Sequence, residues 1–445
     1  MYNKSFFIYI VFIFNTIQAQ DYTLDDCIKI AIDGKKTVLS AELSVKSASY
    51  GLKASYSGML PSVQGMGGAG RTYFPEQENI NLNFEDITLD TIRTNHFDSY
   101  SAGISLNQKI YDGGRTWNKV RQGRINLNIA HLNQRLTRIQ VVQKVIASYY
   151  GLLQFQKLLD VSEKNLDMSM QQISLVKKQF DLGVVKRTDL LKAEVAQGQA
   201  RVDMLNKKTS LQNARRILFN DMGLQDFGQR INAIEDEWMM SKIPSSGEIL
   251  KLLKEQNPSI LVSKSQIELS NISHQLIKGL RLPSLNTSLN YSANSQSSNE
   301  LIQALGDDWN MGVNLSLTFP LYLGNSLSIQ QQQAKLSKQQ AEYSHTTLLN
   351  NLRVQAELIR EALTNYSEII PLNQSVVVSA EEDLKLVRER YSLGSATILE
   401  VLDAQVSLIR SKSNLINVVH DARIQEANLK AILGTLDLQY KPREK

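Results

Sequence analysis

The sequence predicts an α+β membrane protein: long antiparallel helices forming an α-helical coiled-coil barrel, joined to a transmembrane β-barrel to which each chain gives four strands. Three observations predict it. The chain is internally duplicated, its strands alternate apolar with small polar residues, and two helical stretches run for about 70 residues each.

The duplication organises the rest. Phe180-Asp181-Leu182-Gly183 precedes Asp189-Leu190-Leu191-Lys192-Ala193, and Tyr391-Ser392-Leu393-Gly394 precedes Glu400-Val401-Leu402-Asp403-Ala404. Leu182 and Leu393 stand 211 residues apart, and this offset holds without a gap through Val195 and Val406. It also pairs Ser105-Leu106 with Ser316-Leu317 and Tyr111 with Tyr322. Upstream, Leu60-Pro61-Ser62 and Leu282-Pro283-Ser284 are 222 residues apart, so the first copy carries 11 extra residues between these landmarks. The reading divides the chain into a leader at 1–19, a first repeat at 20–223, an inter-repeat segment at 224–246, a second repeat at 247–436 and a tail at 437–445.

Each copy reads as helix, strand, loop, strand, very long helix, turn and long helix. Trp309, Met311, Val313, Leu315, Leu317 and Phe319 alternate with Asn310, Gly312, Asn314, Ser316 and Thr318. Leu285, Thr287, Leu289, Tyr291 and Ala293 alternate in the same way, as do Tyr100, Ala102, Ile104 and Leu106. A fourth, Gly-rich strand is expected at about 62–74, and extracellular loops at 75–97 and 295–307. Period two with one apolar face suits a barrel with lipid outside and water inside, although a soluble sandwich shows the same alternation.

The helices are long. From Gly114 to about Asp181 there is no proline, and apolar residues such as Val142, Val145, Tyr149 and Leu152, around Gly151, recur at helical spacing. From Asn325 to Ser392 the pattern repeats, with Pro371 expected to kink or restart the helix. Each stretch, on the order of 100 Å long at 1.5 Å per residue, is followed by a return helix, at 188–222 and 397–433. The last helix carries two apolar stripes, Leu402, Val406, Ile409 and Ile416 beside Val401, Leu408, Leu415 and Val419. Two stripes suit the wall of a tube with neighbours on both sides; a solid four-helix bundle is the competing arrangement.

Four strands cannot close a barrel, and an open sheet edge is not tolerated in lipid. Several chains must then share one barrel, twelve strands for a trimer or eight for a dimer. The N-terminus reads as a signal peptide: Lys4, an apolar run from Phe6 to Phe14, and a small residue, Ala19, before the cleavage point. That run is shorter than the roughly 20 residues a spanning helix needs.

Other functions find little support. Formal net charge is +5 and its cations are dispersed, so no nucleic-acid partner is expected. The lone cysteine, Cys27, excludes an internal disulfide and reads as a core residue of the first short helix. There is no Gly-rich phosphate loop. His96, His131, His274, His345 and His420 are scattered without metal-ligand spacing, so no enzyme, metal or cofactor is expected. A non-pore periplasmic coiled-coil scaffold or surface structural protein is the alternative, and the alternating strands argue against it.

The duplicated architecture resembles the TolC family of outer-membrane efflux proteins over nearly the whole mature chain. The motifs are Asn257-Pro258-Ser259 opening a helix that ends at Leu282-Pro283-Ser284, the Tyr391-Ser392-Leu393-Gly394 turn followed by Leu399-Glu400-Val401-Leu402-Asp403-Ala404-Gln405, and Leu433-Gly434 closing the last helix. The resemblance implies a homotrimer with a twelve-stranded barrel in outer-membrane lipid and a helical tunnel across the periplasm. It implies a mixed equatorial region built from the chain ends and the inter-repeat segment. It also implies work with a periplasmic adaptor and an inner-membrane pump of the RND, ABC or MFS type, in efflux or type I secretion.

The same resemblance implies site residues. Glu400 and Asp403 match the acids that ring the periplasmic gate, where three copies would gather six carboxylates favouring cations. Thr397 followed three residues on by Glu400 is also a capping box, an ordinary reason for that acid. Tyr391, Thr188 and Asp189 match the latch between repeats, while the latch arginine falls on Ala396, leaving Lys186 or Arg187 as candidates to replace it. Thr188 and Asp189 equally suit helix capping. Leu182-Gly183-Val184 and Leu393-Gly394-Ser395 match the two tips where an adaptor docks; glycine there is also a helix C-cap.

Overall fold

The computed structural model describes residues 20–82, 89–224, 231–235 and 238–440; the expected leader lies outside them, as does the end of the tail. In chain order the elements are β1 (Gln20–Tyr22), α1 (Leu24–Gly34), α2 (Lys36–Ser55), β2 (Ser62–Leu82), β3 (Leu89–Tyr111), α3 (Arg115–Asp181) and α4 (Arg187–Met222). There follow β4 (Ile231–Ala233), α5 (Ser246–Gln256), α6 (Pro258–Gly279), β5 (Ser284–Ser295), α7 (Leu301–Asp307), β6 (Trp309–Thr318), α8 (Ser326–Ser392) and α9 (Ile398–Leu433). The two long helices have 67 residues each and the two return helices 36 each, so the duplication holds in structure. The chain forms two compact units. One comprises Val45–Ala130 and Ser263–Ser344; the other comprises the described residues of Met1–Ser44, His131–Val262 and His345–Lys445.

The first unit holds an antiparallel sheet of order β2-β3-β5-β6. Its register sorts the side chains into rows. Val63, Leu106, Leu289 and Val313 align across the four strands, as do Gly65, Ile104, Tyr291 and Met311. Between them lie Gln64, Ser105, Asn290 and Gly312, which point to the opposite face because side chains alternate along a strand. The apolar face is open: Val313, Leu315 and Leu317 are each about two-thirds exposed, which suits lipid rather than a core. Among the described residues β2 and β6 have no further strand beside them, and closure therefore needs other copies.

The first expected loop, 75–97, is corrected. Pairing continues from Gln77–Thr94 to Leu82–Leu89 after a register shift beyond Tyr73. β2 and β3 have 21 and 23 residues against 12 and 10 in β5 and β6, and the 11 extra residues of the first copy fall in this hairpin. The second expected loop contains α7, and the Tyr291 hydroxyl donates to the Leu305 carbonyl. The Tyr291 ring stacks on Trp309 at 5.5 Å.

The second unit is built twice on one plan. In the first repeat Cys27, Ile28 and Ala31 of α1 pack on Val142, Val145, Tyr149 and Leu152 of α3 and on Leu218, Phe219 and Met222 of α4. Burial, with Asp26 adjacent, pushes the Cys27 thiol up to about 12, so it stays protonated and inert. In the second repeat Ile249 and Leu253 of α5 pack on Ala356 and Leu363 of α8 and on Leu429 and Leu433 of α9. Each return helix ends on a left-handed glycine, Gly223 or Gly434, that abuts the end of the first short helix of its own repeat, at Lys35 or at Gln256 and Asn257. Asn257 explains the Asn-Pro-Ser motif. Its Oδ1 accepts from the Ile260 amide at 3.0 Å as an N-cap, Pro258 opens α6, and its Nδ2 donates to the Ile432 carbonyl of α9 at 2.6 Å.

The inter-repeat segment is fastened to the chain start. β1 and β4 pair in parallel, and the buried Tyr149 hydroxyl donates to the Tyr22 and Ile234 carbonyls at 3.0 and 2.8 Å. Contrary to expectation, α8 does not restart at Pro371; it runs through without a break. Of the two stripes on α9, Val401 and Leu408 are buried while Val406 is exposed, as are Leu191, Val195, Val202 and Leu205 of α4. A solid bundle would have covered both stripes.

Candidate functional site

The two hairpin turns share one geometry. Gly183 and Gly394 both have φ 75°, a left-handed conformation that glycine adopts without steric cost. The Gly183 amide donates to the Phe180 carbonyl at 2.8 Å and the Val184 amide to Gln179 at 2.8 Å. The Gly394 amide donates to Tyr391 at 3.0 Å and the Ser395 amide to Arg390 at 2.9 Å. Each is a Schellman closure, and each leaves a leucine, Leu182 or Leu393, about four-fifths exposed.

Behind the tips the two repeats pack together. Val176 of α3 and Ala193 of α4 share a core with Leu384, Val387 and Tyr391 of α8 and with Ile398, Val401 and Ala404 of α9. Tyr391 bridges them: its hydroxyl donates to Gln179 Oε1 at 2.8 Å. Its partner is therefore Gln179 on α3, while Thr188 is exposed and Asp189 half-buried on α4. Burial and the charge of Asp189 raise the Tyr391 hydroxyl above its ordinary range. The N-cap of α4 is Lys186, which leaves Thr188 inside the first turn and withdraws the capping role expected for it.

Glu400 is held in the capping box read from the sequence. Its Oε1 accepts from the Thr397 amide at 3.0 Å, and its own amide donates to Thr397 Oγ1 at 3.3 Å. These bonds, with the Arg390 guanidinium 3.5 Å away, hold its carboxyl below the usual range. Arg390 also donates to the Ser395 carbonyl at 3.1 Å, so an arginine does brace this tip, from the end of α8 rather than from position 396. Asp403, one turn further on, is exposed and lines a groove of about 680 Å³ with Leu191 and Val195 of α4 and Leu402, Val406 and Ile409 of α9.

The seam between α3 and α9 escaped sequence reasoning. Gln143–Asn428, Gln154–Asn417 and Asn165–Gln405 form side-chain amide pairs at 2.8, 2.9 and 2.8 Å. They lie at near-regular intervals along two antiparallel helices. Amides at otherwise core-facing helical positions were the available signal.

The comparisons with known proteins decide the family. A model described as outer membrane efflux protein matches residues 27–224 and 249–435. The chain belongs to the outer membrane efflux protein family. It is 25% identical over 352 residues to outer membrane protein TolC of Escherichia coli (strain K12), covering 76% of this chain and 70% of that one. A CusC crystal structure superposes with a TM-score of 0.80 at 20% identity, covering 92% of each chain. The Campylobacter jejuni CmeC outer membrane channel gives 0.80 at 16% identity, covering 93% of this chain and 86% of that one. Membership makes this chain an outer-membrane efflux channel component, a transport protein and not an enzyme. The four-stranded sheet with its open apolar face is its membrane part, and the paired long helices are the family's coiled-coil barrel.

Proposed function

We propose that three copies of this chain form the exit duct of a tripartite efflux or type I secretion assembly. In this reading the copies share a twelve-stranded barrel, a periplasmic adaptor docks on the tips at Leu182-Gly183-Val184 and Leu393-Gly394-Ser395, and an inner-membrane pump supplies the cargo. The duct is closed at the tips by Tyr391 with its neighbours Gln179, Thr188 and Asp189, and its mouth is made cation-selective by Glu400 and Asp403. The supporting observation is that two tips with the same turn geometry, one from each repeat, meet in one small core, where the Tyr391–Gln179 hydrogen bond joins them next to the turns. Such a contact can be broken without unfolding either hairpin, which a gate requires.

Planar-bilayer conductance of the detergent-purified protein, with its mass measured in parallel, tests the reading. A trimer with small, cation-selective currents blocked by multivalent cations is expected. The variant Glu400→Gln/Asp403→Asn removes both charges while leaving an acceptor for the Thr397 amide, so lost selectivity is separated from a lost helix cap. It is expected to conduct with weaker cation preference and weaker multivalent block; unchanged selectivity would place the filter elsewhere. Tyr391→Phe removes the bond to Gln179 with little change in packing and is expected to raise the resting conductance. A resting current equal to that of the parent would show that this bond does not hold the tips closed.

A further inference from the structure

We infer that the periplasmic side of the membrane sheet carries a basic collar that binds the headgroups of anionic phospholipids.

The lower edge of the sheet is marked by exposed apolar groups. Phe319, Leu321, Tyr322 and Trp117 are each more than half exposed where the strands hand over to α8 and α3, a composition suited to the boundary between hydrocarbon and headgroups. The helices that leave this rim change character at once. Arg121 and Arg124 on α3, Lys278 and Arg281 at the end of α6, and Lys335 and Lys338 on α8 are at least partly open to solvent. Arg281 fixes the height of the cluster, because its Nη2 donates to Ser328 Oγ in the first turn of α8 at 2.9 Å. Lys335 lies two turns further down, on the order of 10 Å, a distance a lysine stem partly spans.

Few acids offset these charges. In 107–130, 263–283 and 319–344 the acidic residues are Asp112, Glu268 and Glu342. Asp112 is buried and accepts from the Thr116 amide and hydroxyl, as the N-terminal clasp of α3. Glu342 is paired with Lys338 at 3.8 Å. The field of the lysines still registers on a neighbour: burial and then Lys278, Lys338 and Lys335 hold the His274 imidazole below its ordinary value.

A concentration of exposed cations directly under a lipid-facing apolar rim is complementary to a bilayer surface carrying phosphate charge. The cations follow the apolar rim within a few turns along α3, α6 and α8, and lysine and arginine side chains can extend toward headgroups while their stems cover apolar atoms. Zwitterionic headgroups offer the same phosphate with a compensating cation and gain less. The partner is therefore an anionic glycerophospholipid rather than lipid in general.

The test uses the full-length oligomer in detergent, with phosphatidylglycerol or phosphatidylcholine of identical chains added, and counts retained lipids by native mass spectrometry. The parent is expected to retain phosphatidylglycerol in preference by at least about tenfold, less so at high salt. In Lys278→Gln/Arg281→Gln/Lys335→Gln/Lys338→Gln the preference should fall to near unity. The charge-keeping variant Lys278→Arg/Lys335→Arg/Lys338→Arg should retain it, which separates lost charge from damaged packing. Equal preference in the parent and the glutamine variant overturns the inference. So does a glutamine variant that changes the ion selectivity of the pore and leaves lipid retention intact, since the cations would then line the duct.

Discussion

Replacing Arg135 with methionine is expected to destabilise the unit that holds α5, α9 and the tip hairpins by about 3–5 kcal/mol, the usual cost of stranding one member of a buried ion pair. Arg135 of α3 makes a bidentate pair with Asp437, Nε at 2.9 Å and Nη2 at 3.2 Å, and the Asp437 side chain is only 6% exposed. The same guanidinium donates to two helix-end carbonyls, Gly434 at 2.6 Å beyond α9 and Gln256 at 3.2 Å ending α5. Those carbonyls lie at the negative ends of helix dipoles, where a cation is favoured. Methionine fills the space of the stem but leaves the carboxylate and both carbonyls unsatisfied. The double variant Arg135→Met/Asp437→Leu should recover more than half of the loss, because the stranded carboxylate is the largest part of it. Denaturant unfolding of the two variants beside the parent measures this. A single-variant loss under about 1 kcal/mol would show that water replaces the arginine without difficulty.

Much of the fold was legible because the duplication turned weak signals into paired ones. The strand alternation at Trp309–Phe319 fixes which residues form the apolar face, and the observed register places them in common rows with Ile104, Leu106 and Leu289. The extended β2–β3 hairpin was not legible beyond Phe74. Pro75-Glu76-Gln77-Glu78-Asn79 interrupts the alternation, Ile80 and Leu82 alone are too short a run to restart it, and backbone ladder bonds leave no trace in composition. Pro371 does not interrupt α8. It removes one hydrogen bond to the Ser367 carbonyl, but both residues lie on the exposed side of α8, where water can serve that carbonyl, and the packing on either side continues the helix.

The tips were read from Gly183 and Gly394, since a helix that ends and reverses needs a left-handed residue. The bonds across the tips were not. Gln179 is one polar residue among many on an amphipathic helix, and only the approach of Tyr391 singles it out. Arg390 was likewise hidden, because position 396 was the expected place for an arginine, while in three dimensions the last turn of α8 lies beside Ser395 and Glu400. Sequence spacing constrains what lies on one helix face; it says little about which faces of different helices meet.

Acid is expected to loosen the inter-repeat segment, with His420 as the main cause above pH 4.5. His420 is 1% exposed, and neither ring nitrogen has a hydrogen-bond partner among the described residues. Burial, then the charges of Arg423 and Lys157, lower its imidazole to about 4, against a smaller opposing pull from Glu235. Those groups fasten the segment to α3 and α9. Arg423 lies between the rings of Tyr150 and Trp238, 5.3 Å from each, and Glu235 lies beside Lys157 and Arg423. Glu426 accepts from Trp238 Nε1 at 3.0 Å. Above pH 6.5 His420 is neutral folded or unfolded, so it contributes no pH dependence there. Below 6.5 the unfolded chain binds its proton and the folded chain does not, and stability falls as pH drops toward about 4. The loss between pH 7 and 4.5 is about 2–3 kcal/mol. Glu235 and Glu426 do not contribute in this window. Burial raises both, but Lys157 for the first and Lys430 for the second outweigh it and keep them below the ordinary carboxylate range, so their effects begin at lower pH. Hydrogen exchange of residues 231–235 and 238–245 across this range measures the opening. His420→Leu should flatten the dependence above pH 4.5; an unchanged slope would assign the acid sensitivity to another group.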